Sequence, residues 1–174
     1  MASPQQRDCY RVYRVREHLG LQDPDTDPNV TRYHNSIFVE TNNNGSGTIY
    51  QVTGDVSSRC GMYYETNLTE PPDKSVSFFD KELLGFVPVK HYPADFDEVC
   101  RAQPSPPQQK AYNIQANQYQ PIKPDRTLYA PGKQRVPLVK CTEWTEQQAI
   151  PALRQAGMII SSLPSSTAEH STRP

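Results

Sequence analysis

Tyr33-His34-Asn35-Ser36-Ile37-Phe38-Val39-Glu40-Thr41, then Asn42-Asn43-Asn44-Gly45-Ser46-Gly47, then Thr48-Ile49-Tyr50-Gln51-Val52-Thr53 is the stretch on which the fold turns. Two runs rich in β-branched and aromatic residues flank a cluster of Asn, Gly and Ser, residue types that reverse a chain, so 33–53 reads as a β-hairpin. Successive strand residues point to opposite faces. His34, Ser36 and Phe38 therefore share one face of the outgoing strand, and Ile49, Gln51 and Thr53 share one face of the return. His34 and Gln51 lie across the hairpin from each other.

Further strands are expected on both sides. Upstream, Cys9-Tyr10-Arg11-Val12-Tyr13-Arg14-Val15-Arg16 interleaves arginine with β-branched and aromatic residues, as a strand with one wet side does. Downstream, 60–65 and 75–79 read as sheet partners, with 81–87 turning through Gly85. A short helix is expected from Pro93 or Ala94 to Arg101, because Phe96, Val99 and Cys100 fall at i, i+3 and i+4. Between strands, Asp23-Pro24-Asp25-Thr26-Asp27-Pro28-Asn29 has the alternating acids of a calcium loop. Pro28 stands where that loop needs glycine and His34 where it needs glutamate, so the segment reads as an ordinary turn.

From 102 to 137 the chain carries seven prolines among anchors such as Tyr112, Ile114, Tyr119, Ile122 and Tyr129. Prolines exclude long regular elements, and the anchors argue against a disordered linker. An extended belt over the domain satisfies both; loops of this length are usually functional or disordered, and whether the belt is a substrate lid stays open. Beyond it, Val139-Lys140-Cys141-Thr142-Glu143-Trp144 leads into the most helix-like segment of the chain. Thr145 and Gln148 match a capping box, Gly157 is a natural terminator, and Pro151 predicts a kink near Ile150 or two helices, 141–149 and 151–156. A thiol at the start of such a helix faces unpaired N–H groups and the positive end of the dipole, which favour thiolate.

At 174 residues, one domain is expected, spanning 7–157 between flexible tails at 1–6 and 158–174. With 18 Lys+Arg against 19 Asp+Glu there is no field for nucleic acid, and no apolar run approaches a membrane span. Four cysteines at 9, 60, 100 and 141 match neither zinc spacing nor a disulfide scaffold, so a reduced, cytoplasmic protein without cofactor or metal is expected. Cys60, Cys100 and His91 lack ligand spacing. Glu40 and Asp55 as a glycosidase pair, and the serines of 161–166 as nucleophiles, carry little weight beside Cys141, with His34 as its base and Gln51 orienting the ring.

These segments resemble the circularly permuted papain-like fold of lecithin retinol acyltransferase relatives, PPPDE-type peptidases and permuted NlpC-type proteins. Tyr33-His34-Asn35-Ser36-Ile37-Phe38-Val39 resembles their histidine strand and Ile49-Tyr50-Gln51-Val52 the returning strand with the third polar residue. Lys140-Cys141-Thr142-Glu143-Trp144-Thr145 resembles the acyltransferase nucleophile box. The order also resembles small fungal proteins with an HxxIFVE strand and a CxEW helix start. The relatives usually carry histidine where Gln51 stands and asparagine where Lys140 stands. The resemblance implies an α+β fold: a mostly antiparallel sheet of about five strands with a packed helix bearing the nucleophile. It implies a thiol-dependent hydrolase or acyltransferase acting on an amide, ester or thioester of a small molecule or peptide, including cyclisation in small-molecule biosynthesis. The rival expectation is a non-catalytic binding module using the belt as its contact surface. Substrate identity and oligomeric state stay open.

Overall fold

The computed structural model describes residues 8–130 and 132–163. Five strands form one antiparallel sheet: β1 (Cys9–His18), β2 (Tyr33–Glu40), β3 (Gly47–Gly54), β4 (Met62–Thr69) and β5 (Phe78–Pro88), in the order β4-β3-β2-β1-β5. This is the α+β architecture, with an antiparallel sheet of five strands and packed helices. The tails at 1–6 and 164–174 lie outside the described residues.

β2 is the middle strand, and Asn35 through Glu40 are all buried, because both faces of the sheet are covered there. On one face Ile37, Val39, Tyr50, Val52, Val12 and Val87 pack in one core with Phe96 and Cys100 of helix α1 (Ala94–Arg101) and with Trp144, Ala149, Ile150 and Leu153. On the other, Phe38 and Val15 are buried, and Pro71 and Pro72 line a cavity together with Val15 and Ile49.

Four local expectations need correction. The 81–87 stretch does not turn. β5 runs through it, and the pairing with β1 skips Leu84, so Gly85 sits at a bulge with φ +145 where a β-carbon would press on the Ile160 carbonyl. Phe86 and Ile160 exchange two backbone hydrogen bonds of 2.9 Å, and Met158 and Ile159 are buried in the core, so the packed chain extends past 157. The belt, in turn, contains a small hairpin, β6 (Lys110–Asn113) with β7 (Gln118–Pro121), between extended segments.

The fourth correction concerns the last helix, which starts at Cys141 as expected but is continuous through Pro151 rather than divided there. Glu143 supplies the cap, accepting the Lys140 backbone N–H at 2.8 Å. From there α2 (Cys141–Glu143), a π-helical stretch Trp144–Ala149 and α3 (Ile150–Gln155) run on without a break. In the π stretch the Ile150 N–H reaches the Thr145 carbonyl, and this wider turn absorbs the proline that follows it at 151. Gly157, at φ +72, ends the helix: its N–H bonds the Arg154 carbonyl while Met158 N–H bonds that of Leu153.

Candidate functional site

The site lies where the sheet opens. β2 is paired with β1 along its whole length, but its pairing with β3 stops at Ile37 opposite Tyr50. The backbone of Tyr33 and Asn35 therefore faces a gap instead of a partner strand. Buried carbonyls need partners, and the helix start supplies them. Cys141 Sγ lies 3.8 Å from the Tyr33 carbonyl, Thr142 Oγ1 lies 3.5 Å from that same oxygen, and Thr145 Oγ1 donates to the Asn35 carbonyl at 3.2 Å. Asn35 Nδ2 completes the seam, donating to Thr142 Oγ1 at 2.9 Å. The helix is wedged into the split, and this wedge brings Cys141 to His34.

Cys141 is only 6% exposed and lines one cleft with His34, whose imidazole acts electrostatically on the thiol. On the other side of the ring, Nε2 is 2.7 Å from Gln51 Oε1. All three residues singled out in the sequence thus come together. Burial alone pushes the Cys141 thiol up. The hydrogen bond and charge of His34, the Asn35 backbone N–H and the Arg32 charge outweigh it, leaving the thiol below its ordinary 9.0. For His34 burial works downward, but the bond and charge of Cys141, then Gln51 and the charge of Glu17, raise it from 6.5 to about 9. Cys100 makes the contrast. It too is buried, with no such partner, and its thiol is driven up by desolvation and by Asp97.

A cleft of about 180 Å³ opens onto the pair, lined by Leu19, Leu21, Tyr33, Met62, Asp55 and Lys140 among others. Its rim is built by ion pairs. Arg32 Nη2 donates to both oxygens of Glu143, at 2.8 and 2.7 Å, tying the 19–32 loop to the helix cap. Asp23 is held by Lys110 and by Lys140, the latter at 2.9 Å, and Asp25 by Lys110 at 2.7 Å and Arg135 at 3.0 Å. The Asp-Pro turn and the belt are thus clasped together beside the cleft. Burial raises Asp23, but the two lysines and the Asp25 backbone N–H overrule it and bring it to about 2. The sign follows: the carboxylate's contribution to stability is present above its ordinary 3.8 and is lost as pH falls through about 2. Lys110→Met is expected to cost about 1–2 kcal/mol at pH 7, since the clasp is partly solvated, and to flatten the acid limb of a pH–Tm curve. An unchanged Tm would mean that the clasp holds nothing in place.

Two lesser candidates are kept apart. Glu40 ion-pairs with Arg11 at one end of the hairpin while Asp55 follows β3 at the other. His91 pairs with Asp95 at 2.8 Å, Cys60 is exposed and Cys100 is core. Among the described residues no three His, Cys, Asp or Glu side chains converge to hold a metal ion. Trp144 is fully buried against Tyr64, a core residue rather than a wall of the cleft. The sequence reading missed Glu65, which accepts a 2.8 Å hydrogen bond from Gln51 Nε2. Its signal was the register of β3 against β4, where Gln51 stands opposite Glu65.

These features define a class: an α+β domain in which a helix-capped cysteine fills a split sheet beside a strand histidine. The chain belongs to a family of unknown function (DUF6540), whose model matches residues 21–160, from the loop before β2 to the Ile160 bridge. No curated protein and no solved structure matches it. No helix among the described residues is long and apolar enough to cross a membrane.

Proposed function

We propose that this protein is a thiol-dependent hydrolase or acyltransferase of the permuted papain-like kind, acting on an amide, ester or thioester of a small molecule or peptide. One observation carries the reading: Cys141 at the helix start and His34 on its strand line one cleft, with the ring held at Nε2 by Gln51 and the thiol lowered by the imidazole beside it. The chain order supports the permuted frame, with the histidine strand first, the hairpin next and the cysteine helix last. Four free cysteines suit a reducing, cytoplasmic setting.

In this reading the Cys141 sulfur attacks the carbonyl carbon and forms the C–S bond as the C=O electrons move to oxygen. The Cys141 backbone N–H, in the first turn of the helix, receives that oxyanion. Gln51 accepts from Nε2 and holds the ring, leaving Nδ1 toward the sulfur. His34 then gives its proton to the departing amine, alcohol or thiol, and the acyl group stays on Cys141. Water or a second nucleophile, deprotonated by the now neutral ring, attacks the thioester, and the thiolate returns.

Iodoacetamide alkylation of the native protein across pH tests it. Cys141 is expected to react with an apparent pKa below that of an ordinary thiol of about 8.5 and faster at pH 7 than in the denatured chain. Equal rates in both would sink the proposal. That outcome would favour the second reading, a binding module, for which Tyr112, Ile114 and Tyr119 stand exposed on the β6–β7 hairpin.

A further inference from the structure

The geometry points to Glu65 as the positioning residue that decides which His34 nitrogen carries the ring proton, acting through the Gln51 carboxamide. This rests on the Cys141–His34 reading and deepens it. A carboxamide has two unlike ends, an oxygen that accepts and an NH2 that donates. Left alone between a ring and solvent, Gln51 could present either end to His34. It is not left alone: β3 and β4 pair in the register that sets Gln51 opposite Glu65. The Glu65 carboxylate can only accept, and it takes Gln51 Nε2 at 2.8 Å.

The other end of the amide is then committed. Oε1 faces His34 Nε2 at 2.7 Å, and an oxygen that can only accept requires a proton on that nitrogen. A neutral imidazole has one proton to place. Held at Nε2, it leaves Nδ1 as the lone pair that takes the Cys141 proton. With the amide reversed, Nε2 would have to accept and the ring proton would move to Nδ1, the wrong tautomer for a base. Glu65 also supplies the negative charge that a glutamine lacks, at one residue's remove from the imidazolium. Chains of hydrogen bonds in a partly buried setting polarise one another, so charge at the outer end strengthens the inner bond.

The test combines the alkylation profile with the ¹⁵N shifts of the His34 ring. Glu65→Gln keeps the shape of the side chain but offers Gln51 either a donor or an acceptor. It is expected to raise the apparent pKa of Cys141 by about one unit, slowing alkylation at pH 7 by up to about tenfold, and to reduce the Nε2–H form in the ¹⁵N spectrum. The exchange Gln51→Glu with Glu65→Gln moves the carboxylate one position inward and leaves it facing an amide donor. It is expected to restore the low thiol pKa. A purely structural Glu65 predicts otherwise: Glu65→Gln would overlay the wild-type profile and spectrum, and that result overturns the inference. If Glu65→Gln does not fold, the exchange decides alone, since an ordinary thiol pKa in it overturns the inference too. The two levels separate cleanly. A wild-type Cys141 that reacts as an ordinary thiol removes the nucleophile reading itself. A wild-type profile that depends on His34 but ignores Glu65 removes only the relay.

Discussion

His34→Ala is expected to return the Cys141 thiol to or above its ordinary range and to slow acyl-enzyme formation by about 10²–10⁴-fold, the usual contribution of a positioned acid–base group. The direction follows from the balance at the thiol. Burial opposes ionisation there, and His34 provides the largest of the forces against it. Remove the ring and Asn35 and Arg32 remain against the full desolvation cost. The measurement is a pair of profiles, alkylation rate and acyl-adduct formation by mass spectrometry, on wild type and variant. Unchanged profiles would leave Cys141 a buried residue and nothing more.

The same pair sets a pH window. The folded pKa of His34, about 9, lies above its ordinary 6.5. Its contribution to stability is therefore fully present below 6.5 and is lost as pH rises through about 9. Cys141 is depressed below 9.0, so its contribution is present above that value and is lost as pH falls through the lowered one. Acyl-enzyme formation, which needs the thiolate and the imidazolium together, is expected to be bell-shaped, with its upper limb near 9. Alkylation needs only the thiolate and is expected to show no upper limb. In His34→Ala the acyl-transfer bell should lose that limb.

The second large effect is on stability. Trp144 is completely buried in the main core, beside Tyr64, with ring centroids 5.8 Å apart. Trp144→Ala is expected to cost about 3–5 kcal/mol, which for a chain of this size lowers Tm by about 10 °C or more. Its indole Nε1 is buried without a hydrogen-bond partner. Trp144→Phe removes that unsatisfied donor along with some volume, so it should cost much less than alanine. Thermal unfolding followed by circular dichroism checks both. A phenylalanine variant as unstable as the alanine one would show that the indole donor is used.

The hairpin and its histidine were legible in the sequence because strand alternation and an Asn/Gly/Ser turn are local signals, and Cys141 was legible because helix starts are punctuated. Glu65 was not, because it enters the site through the register of two strands, and Cys60 to Glu65 could have paired with β3 in more than one way. The capping box read at Thr145 and Gln148 failed for a related reason. Thr145 fits a local capping pattern, yet its hydroxyl is used by the Asn35 carbonyl, more than 100 residues away in the chain. The β6–β7 hairpin was hidden because strands of four residues between prolines carry too little alternation to read.

The split between β2 and β3 has a consequence for how the molecule matures. Its two walls and its wedge come from residues 33–37, 50–51 and 141–145, so the site closes only when segments about 100 residues apart have met. Contacts of such separation tend to form late in folding. Until the helix docks, Cys141 is a thiol like any other. If Cys141 is the nucleophile proposed above, its strength depends on that docking, and its reaction rate would report how much of the chain has closed the split.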